Sequence, residues 1–346
     1  MTGPAVWRIE RAGFVALALP LAAAALLWLG TAPARLHASP GLEVVATSVP
    51  RPLQLVLDGR ALVILSPGLR GDTAGEIYRL DLGGDMPVDL SGQPRIRIPF
   101  VDSRVATLGS LAINPRTREL FLGEENGTRV YRLTRDEQMS LYATGLHRLG
   151  GGSTLAFDRA GNLIVVDHAD PLLSQNDERT PPGLEQFREE DYRGPLVFRL
   201  AADSVIPVPR HLDGVAPLFP RAWGGKSGGA HLPRLISVAP RGSDDLVFLT
   251  SSGDLYRLGA DGALALFAGL PRGQYTRANM IAAPDGTVFV SGGFQVGSVF
   301  RVSPDGTAVA LVASRLGDPQ GIALDSQGNL YLAESALHRI VRIRPL

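Results

Sequence analysis

Apolar and polar positions alternate in short runs along most of the chain, and one run recurs. A small residue, alternating apolar positions, an aromatic or Val, an Arg and an aliphatic residue appear six times. The copies are GEIYRL (75–80), TRVYRL (128–133), PLVFRL (195–200), GDLYRL (253–258), GSVFRV (297–302) and RIVRI (339–343). Period-two alternation with aromatics marks a half-buried strand. Ahead of each stands a pair of apolar runs around a turn rich in Asp, Asn, Pro or Gly, as in LQLVLDGRALVILSP (53–67), TLAFDRAGNLIVVDH (154–168) and GIALDSQGNLYLAES (321–335). That is the signature of a β-hairpin. A fourth run often follows the Arg strand: MSLYATG (139–145), ALALFAGL (263–270) and TAVALVAS (307–314). Four strands repeated six times predict an all-β six-bladed β-propeller with four-stranded blades, rather than a sandwich or solenoid.

The ends of the chain fit the same plan. The last unit stops at Leu346, one strand short, while LEVVATSV (42–49) precedes the first full unit with a strand pattern of its own. The expectation is that residues 41–346 form the ring and that this N-terminal strand completes the last blade, leaving no open edge there.

The final unit, DPQGIALDSQGNLYLAESALHRIVRI (318–343), resembles an NHL repeat through its Pro-x-Gly-Ile start, Gly-Asn turn and Arg-Ile ending. NHL propellers and the gluconolactonase-like, senescence-marker-protein-like group form one superfamily of six-bladed rings. The resemblance implies that fold over about 41–346, with the other units matching more loosely. Gluconolactonase-like enzymes hold a divalent ion with a Glu opening the first blade, Asn residues and an Asp. Here Asn279, ahead of a Pro-Asp-Gly turn, resembles part of that pattern one residue out of phase. Arg51-Pro52-Leu53 stands where the opening Glu would be.

The spacing of the strand arginines widens twice, and the excess falls in two insertions. One, His168 to Gly194, is polar and mostly acidic; the other, about 203–231, is rich in Pro and Gly. Long loops without periodicity are commonly functional lids or partner-binding flaps, or else disordered, solvated decoration. Both are expected on the face of the ring where second-to-third-strand and inter-blade loops emerge. At the other extreme of the chain, Arg8 and Arg11 precede an uncharged, Ala- and Leu-rich run from Ala12 to Gly30, an apolar helix. It reads as a signal peptide, with cut sites near Ala32-Pro33-Ala34 or His37-Ala38-Ser39, or as an uncleaved membrane anchor of roughly 20 residues. Either one sends the remainder to the extracytoplasmic side, periplasmic or secreted.

Composition narrows the function classes. Apolar residues make up 45% and charged residues 20%, enough for a large core. Lys plus Arg and Asp plus Glu both number 34, so no basic excess exists to attract nucleic acid. The absence of Cys removes disulfides and thiolate chemistry. Gly224-Gly225-Lys226-Ser227 is no phosphate loop, because Pro220 stands where the leading Gly belongs, and no Gly-x-Ser-x-Gly elbow occurs.

Candidate chemistry gathers at one face. Positions just past each second strand are Ser66, Glu124, Asp167, Thr250, Gly292 and Glu334, with Glu125 and His168 following directly. Inter-blade positions add Ser153, His231, Arg277, Asn279 and Gln320 as candidate ligand-binding residues. Glu124, Asp167 and Glu334 supply oxygen donors suited to Ca²⁺, and with His168 and His231 the set suits a transition metal. An acid in this position also suits capping of the local turn through backbone N–H groups. The strand arginines are expected to pack their stems between blades and pair with acids. Two functions follow as expectations. One is a propeller that binds a small molecule, glycan or protein at its lidded channel face. The other is a metal-dependent hydrolase, lactonase or lyase of the gluconolactonase-like group. In that case a divalent ion polarises a carbonyl, with Asp167 or His168 as catalytic base.

Overall fold

The computed structural model describes residues 41–67, 73–100, 107–125, 127–146, 152, 154–167, 196–201, 210–212, 215–218, 235–242, 244–293 and 295–345. The apolar run at 12–30 and the insertion at 168–194 lie outside them. The described residues form six radially arranged sheets, as the repeat predicts. Strand β1 (Leu42–Thr47) comes first in the chain. Blade one then holds β2 (Gln54–Asp58), β3 (Ala61–Ser66) and β4 (Gly75–Asp81); the chain makes a short strand β5 (Val88–Asp89) and returns as β6 (Arg95–Ile98). Blade two comprises β7 (Leu108–Ile113), β8 (Leu120–Glu124), β9 (Val130–Leu133) and β10 (Met139–Thr144). Blade three contains β11 (Leu155–Phe157), β12 (Asn162–Asp167) and β13 (Leu196–Ala201), followed by the short strand β14 (Arg210–His211). Blade four is β15 (Leu235–Pro240), β16 (Leu246–Thr250), β17 (Asp254–Leu258) and β18 (Leu264–Gly269). Blade five is β19 (Met280–Ala282), β20 (Val288–Ser291), β21 (Ser298–Val302) and β22 (Val309–Ser314). Blade six has β23 (Pro319–Leu324), β24 (Leu330–Glu334) and β25 (Arg339–Ile343).

The ring closes where expected. Strand β1 pairs antiparallel with β25, Leu42 opposite Ile343 and Ala46 opposite Ile340. Glu43 accepts hydrogen bonds from Arg342 Nη2 at 2.8 Å and from Arg344 Nη2 at 3.1 Å, which ties the first strand to the last.

The core lies in the seams between blades. Second strands read as continuous apolar runs because both of their faces are buried. In β12, Leu163 and Val165 pack toward blade two, while Ile164 and Val166 pack toward blade four. Strand β24 divides likewise, Tyr331 and Ala333 facing blade one and Leu330 and Leu332 facing blade five. An apolar cluster fills each seam around the ring. Outside this core five of the six strand arginines pair with acids: Arg79 pairs with Asp58 at 3.0 Å, Arg132 with Glu119 at 2.6 Å and Arg199 with Asp244 at 2.8 Å. Arg257 pairs with Asp245 at 3.0 Å and Arg342 with Glu43 at 2.8 Å.

Two segments reach across seams and fall outside the four-strand repeat. Strand β5 leaves blade one to add a parallel fifth strand to blade six, Ala46 opposite Val88 and Thr47 opposite Asp89. Strand β14 leaves blade three and does the same for blade two, Ala143 opposite Arg210 and Thr144 opposite His211. Each is followed by a buried leucine, Leu90 or Leu212, set into the seam. Residues 210–212 of the 203–231 insertion therefore line the outer edge of blade two. Leu218 donates its N–H to the Val197 carbonyl at 2.6 Å, bringing the chain back to blade three.

Close approach between blades six and one requires a glycine. A Cβ on Gly321 would lie 2.8 Å from Gln54 Cα and 2.9 Å from the Leu53 carbonyl oxygen. Gly321→Ala is expected to cost about 1–3 kcal/mol through backbone displacement. Urea denaturation should show a lower midpoint at unchanged slope; an unaltered midpoint would mean that the seam has slack.

Candidate functional site

The inner strand of each blade opens with a polar residue. Register places Gln54 opposite Leu65, Ser110 opposite Gly123 and Ser237 opposite Leu249, each one residue before the end of its second strand. Thr154, Asn279 and Gln320 occupy the corresponding places in the other blades. All six are buried, at 2% exposure or less. Burying polar groups costs free energy unless they are paired, and the girdle is cross-linked between blades one and two, two and three, and five and six, while Ser237 Oγ has no hydrogen-bond partner among the described residues. Gln54 Nε2 donates to the Gly109 carbonyl at 3.0 Å, and Ser110 Oγ contacts Thr154 Oγ1 at 2.5 Å. Asn279 N–H donates to Ser291 Oγ at 2.9 Å, and that hydroxyl donates to the Gln320 carbonyl.

An ion pair crosses the channel above the girdle. Arg277, at the entrance to blade five, donates from Nε at 2.9 Å and from Nη2 at 2.6 Å to Glu125 Oε1 on blade two. Those two blades face each other across the ring. Arg277 has a positive φ of 58°, and so do two other charged residues just ahead of inner strands, Arg51 at 46° and Asp318 at 57°. Non-glycine residues adopt this conformation at a cost that surrounding structure must sustain, and such residues cluster at functional sites.

Asp318 completes the group. Gln320 Nε2 donates to its Oδ2 at 2.8 Å, leaving Asp318 Oδ1 and Gln320 Oε1 buried without hydrogen-bond partners. Burial pushes the Asp318 carboxyl above its usual range, against the opposing hydrogen bond from Gln320 and the positive charges of Arg277 and Arg51. A proton-hungry carboxylate with a free oxygen beside a guanidinium is equipped for proton transfer. Two orphan acceptors also call for donors from outside the chain, because an unmade buried hydrogen bond is costly.

The predicted ligand-binding residues Arg277, Asn279 and Gln320 thus come together; Asn279 Nδ2 donates to the Arg277 carbonyl at 3.1 Å. Ser153, His168 and His231 lie outside the described residues. Glu124 is occupied within its blade: Oε1 accepts from the Tyr131 hydroxyl at 2.7 Å and Oε2 from the Thr128 N–H at 3.2 Å. Glu334 accepts the Gly317 N–H at 2.8 Å and pairs with Arg339. Both acids hold turns, the capping role open to this position. Asp167 is 1% exposed at the end of β12. Among the described residues no three His, Cys, Asp or Glu side chains converge as metal ligands. At the channel mouth, the carboxylate with an unpaired oxygen feels two nearby guanidiniums, which oppose a divalent cation. That donor set does not fit such an ion.

Asp318 was the residue pattern reading missed, although a signal existed. Successive inner strands open with Arg277-Ala-Asn279 and Asp318-Pro-Gln320, a charged residue two places ahead of a buried amide. The pairing of Glu125 with Arg277 had no local signal, since the two stand 152 positions apart.

No family model matches this sequence, and no curated protein matches it. Solved structures do share its fold. A gluconolactonase from Xanthomonas campestris is 18% identical, covering 87% of this chain and 88% of its own at a TM-score of 0.53. Virginiamycin B lyase from Staphylococcus aureus is 12% identical, covering 88% and 85% at a TM-score of 0.51. The calcium-binding protein regucalcin from Agrobacterium tumefaciens is 10% identical, covering 87% and 95% at 0.52. The fold of this chain is the six-bladed propeller of gluconolactonase-like proteins and virginiamycin B lyase.

Proposed function

We propose that the channel mouth binds a small polyhydroxylated molecule and opens a lactone ring in it, with Asp318 as general base and Arg277 as charge stabiliser. The observation that carries this reading is Asp318 itself, whose carboxyl is raised by burial and has one unpaired oxygen beside a guanidinium. Ligand hydroxyls supply the donors that Gln320 Oε1 and the girdle lack. Asp318 Oδ1 takes a proton from water as the oxygen attacks the lactone carbonyl carbon. Arg277 faces the oxyanion that develops, using donors left over from its pair with Glu125. Collapse breaks the ring C–O bond, and the Asp318 proton passes to the departing alkoxide, giving a hydroxy acid. The fold shared with a gluconolactonase supports this choice of bond. In this reading the run from Ala12 to Gly30 places the reaction outside the cytoplasm, held at the membrane where that run stays uncleaved.

A pH-stat assay of D-glucono-1,5-lactone ring opening tests the proposal. Saturable acceleration above the buffer rate, undiminished by EDTA, is the expected result. Saturable binding of the lactone without turnover would instead make ligand capture the function. Absence of both would remove this site from consideration.

A further inference from the structure

The opposite end of the channel has different chemistry. Inner strands run from the polar girdle toward the hairpin turns, and there each contributes a half-buried apolar residue: Val56, Ile113, Phe157, Pro240, Ala282 and Leu324. They enclose a cavity of about 500 Å³, within the range that holds small ligands. At about 3.3 Å rise per residue, a five-residue inner strand gives the channel a length of about 16 Å. Among the described residues two charged ones line this cavity, Asp158 and Arg159. Asp158 is committed: its Oδ1 accepts the Asn162 N–H at 2.8 Å and its Oδ2 accepts Asn162 Nδ2 at 2.9 Å. Arg159 is exposed, and its guanidinium has no ion-pair partner among the described residues.

We infer that this end is a second binding site, for a single-chain amphiphile whose aliphatic tail fills the channel and whose carboxylate meets Arg159. Apolar walls hold water poorly and favour a hydrocarbon. An uncompensated guanidinium at the rim selects a monoanionic head and matches a carboxylate's two oxygens in a forked pair. The lactone-opening chemistry plays no part, since Glu125, Arg277 and Asp318 are not among the residues that line this cavity.

Calorimetric titration of the full chain with dodecanoate, below its micellar concentration, tests the site with dodecanol as the uncharged comparison. One dodecanoate per chain is expected. Arg159→Ala should weaken dodecanoate about fivefold, the scale of one solvent-facing ion pair, and leave dodecanol unchanged. Ala282→Trp, which fills the channel, should abolish binding of both while the melting transition stays cooperative. Should that variant fold poorly, Ala156→Leu makes a smaller intrusion and is expected to reduce both affinities. Either no saturable binding, or binding indifferent to the channel-filling variants and to Arg159→Ala, would overturn the inference; indifference would assign the uptake to another apolar surface.

Discussion

A chain beginning at residue 50 is expected to show no cooperative thermal transition. Removing β1 takes Val45, Ala46 and Val49 out of the seam between blades six and one, where each is wholly buried. It also strips β25 of its antiparallel partner and exposes a strand edge that invites association with other chains. Burying each such side chain contributes about 1.5–3 kcal/mol for valine, and whole domains are stable by only about 5–15 kcal/mol. Three lost core residues together with a ladder of backbone bonds consume most of that margin. Circular dichroism against temperature is the check: a sharp transition within about 5 °C of the full ring would mean that the last blade stands without its N-terminal strand.

The second large effect concerns Asp318. Replacing it by Asn keeps size and shape but removes the proton acceptor, and general-base contributions run to about 10²–10⁴ in rate. Asp318→Asn should therefore lose lactone-opening activity on that scale in kcat, with KM changed far less. Stability is expected to move the other way. The folded-state pKa lies above the ordinary aspartate value, so ionisation works against the folded state. That penalty is absent below the unfolded-state pKa of about 3.9 and complete above the folded one. The variant should therefore melt higher than the natural chain at pH 7, with the gap closing as the pH falls through the acid range. A variant that melts lower at pH 7, or that retains full turnover, would deprive Asp318 of its role.

Much of the ring can be read from the chain because its core repeats. A second strand such as NLIVVD (162–167) is apolar on both faces, since each face meets a neighbouring blade, and the Asp-Asn-Gly turns ahead of such strands fix the hairpins. The closing role of residues 42–49 followed from counting strands. Strands β5 and β14 escaped the pattern because each pairs over only two residues and with a blade other than its own, so neither falls into the four-strand repeat. Leu90 and Leu212, with apolar neighbours such as Val88 and Val215, read from sequence like other loop residues. At the site, Arg277, Asn279 and Gln320 were legible as polar positions opening inner strands. The chemical centre was not, because it depends on partners brought from across the ring and on which oxygens remain unpaired. Neither property is written in local order.

The fifth strand on blade six bears on how the ring would yield to tension between its ends. Leu42 and Ile343 sit opposite each other, so pulling the termini apart would peel β1 from β25 one bond at a time, starting at that end. Peeling of this kind needs little force until it reaches Thr47. There the load meets a clamp: the Thr47 carbonyl accepts the Leu90 N–H at 3.1 Å, and Val49 N–H donates to the His338 carbonyl at 3.0 Å. The strand borrowed from blade one thus acts as a brake on unravelling, placed at the far end of the latch between first and last strands.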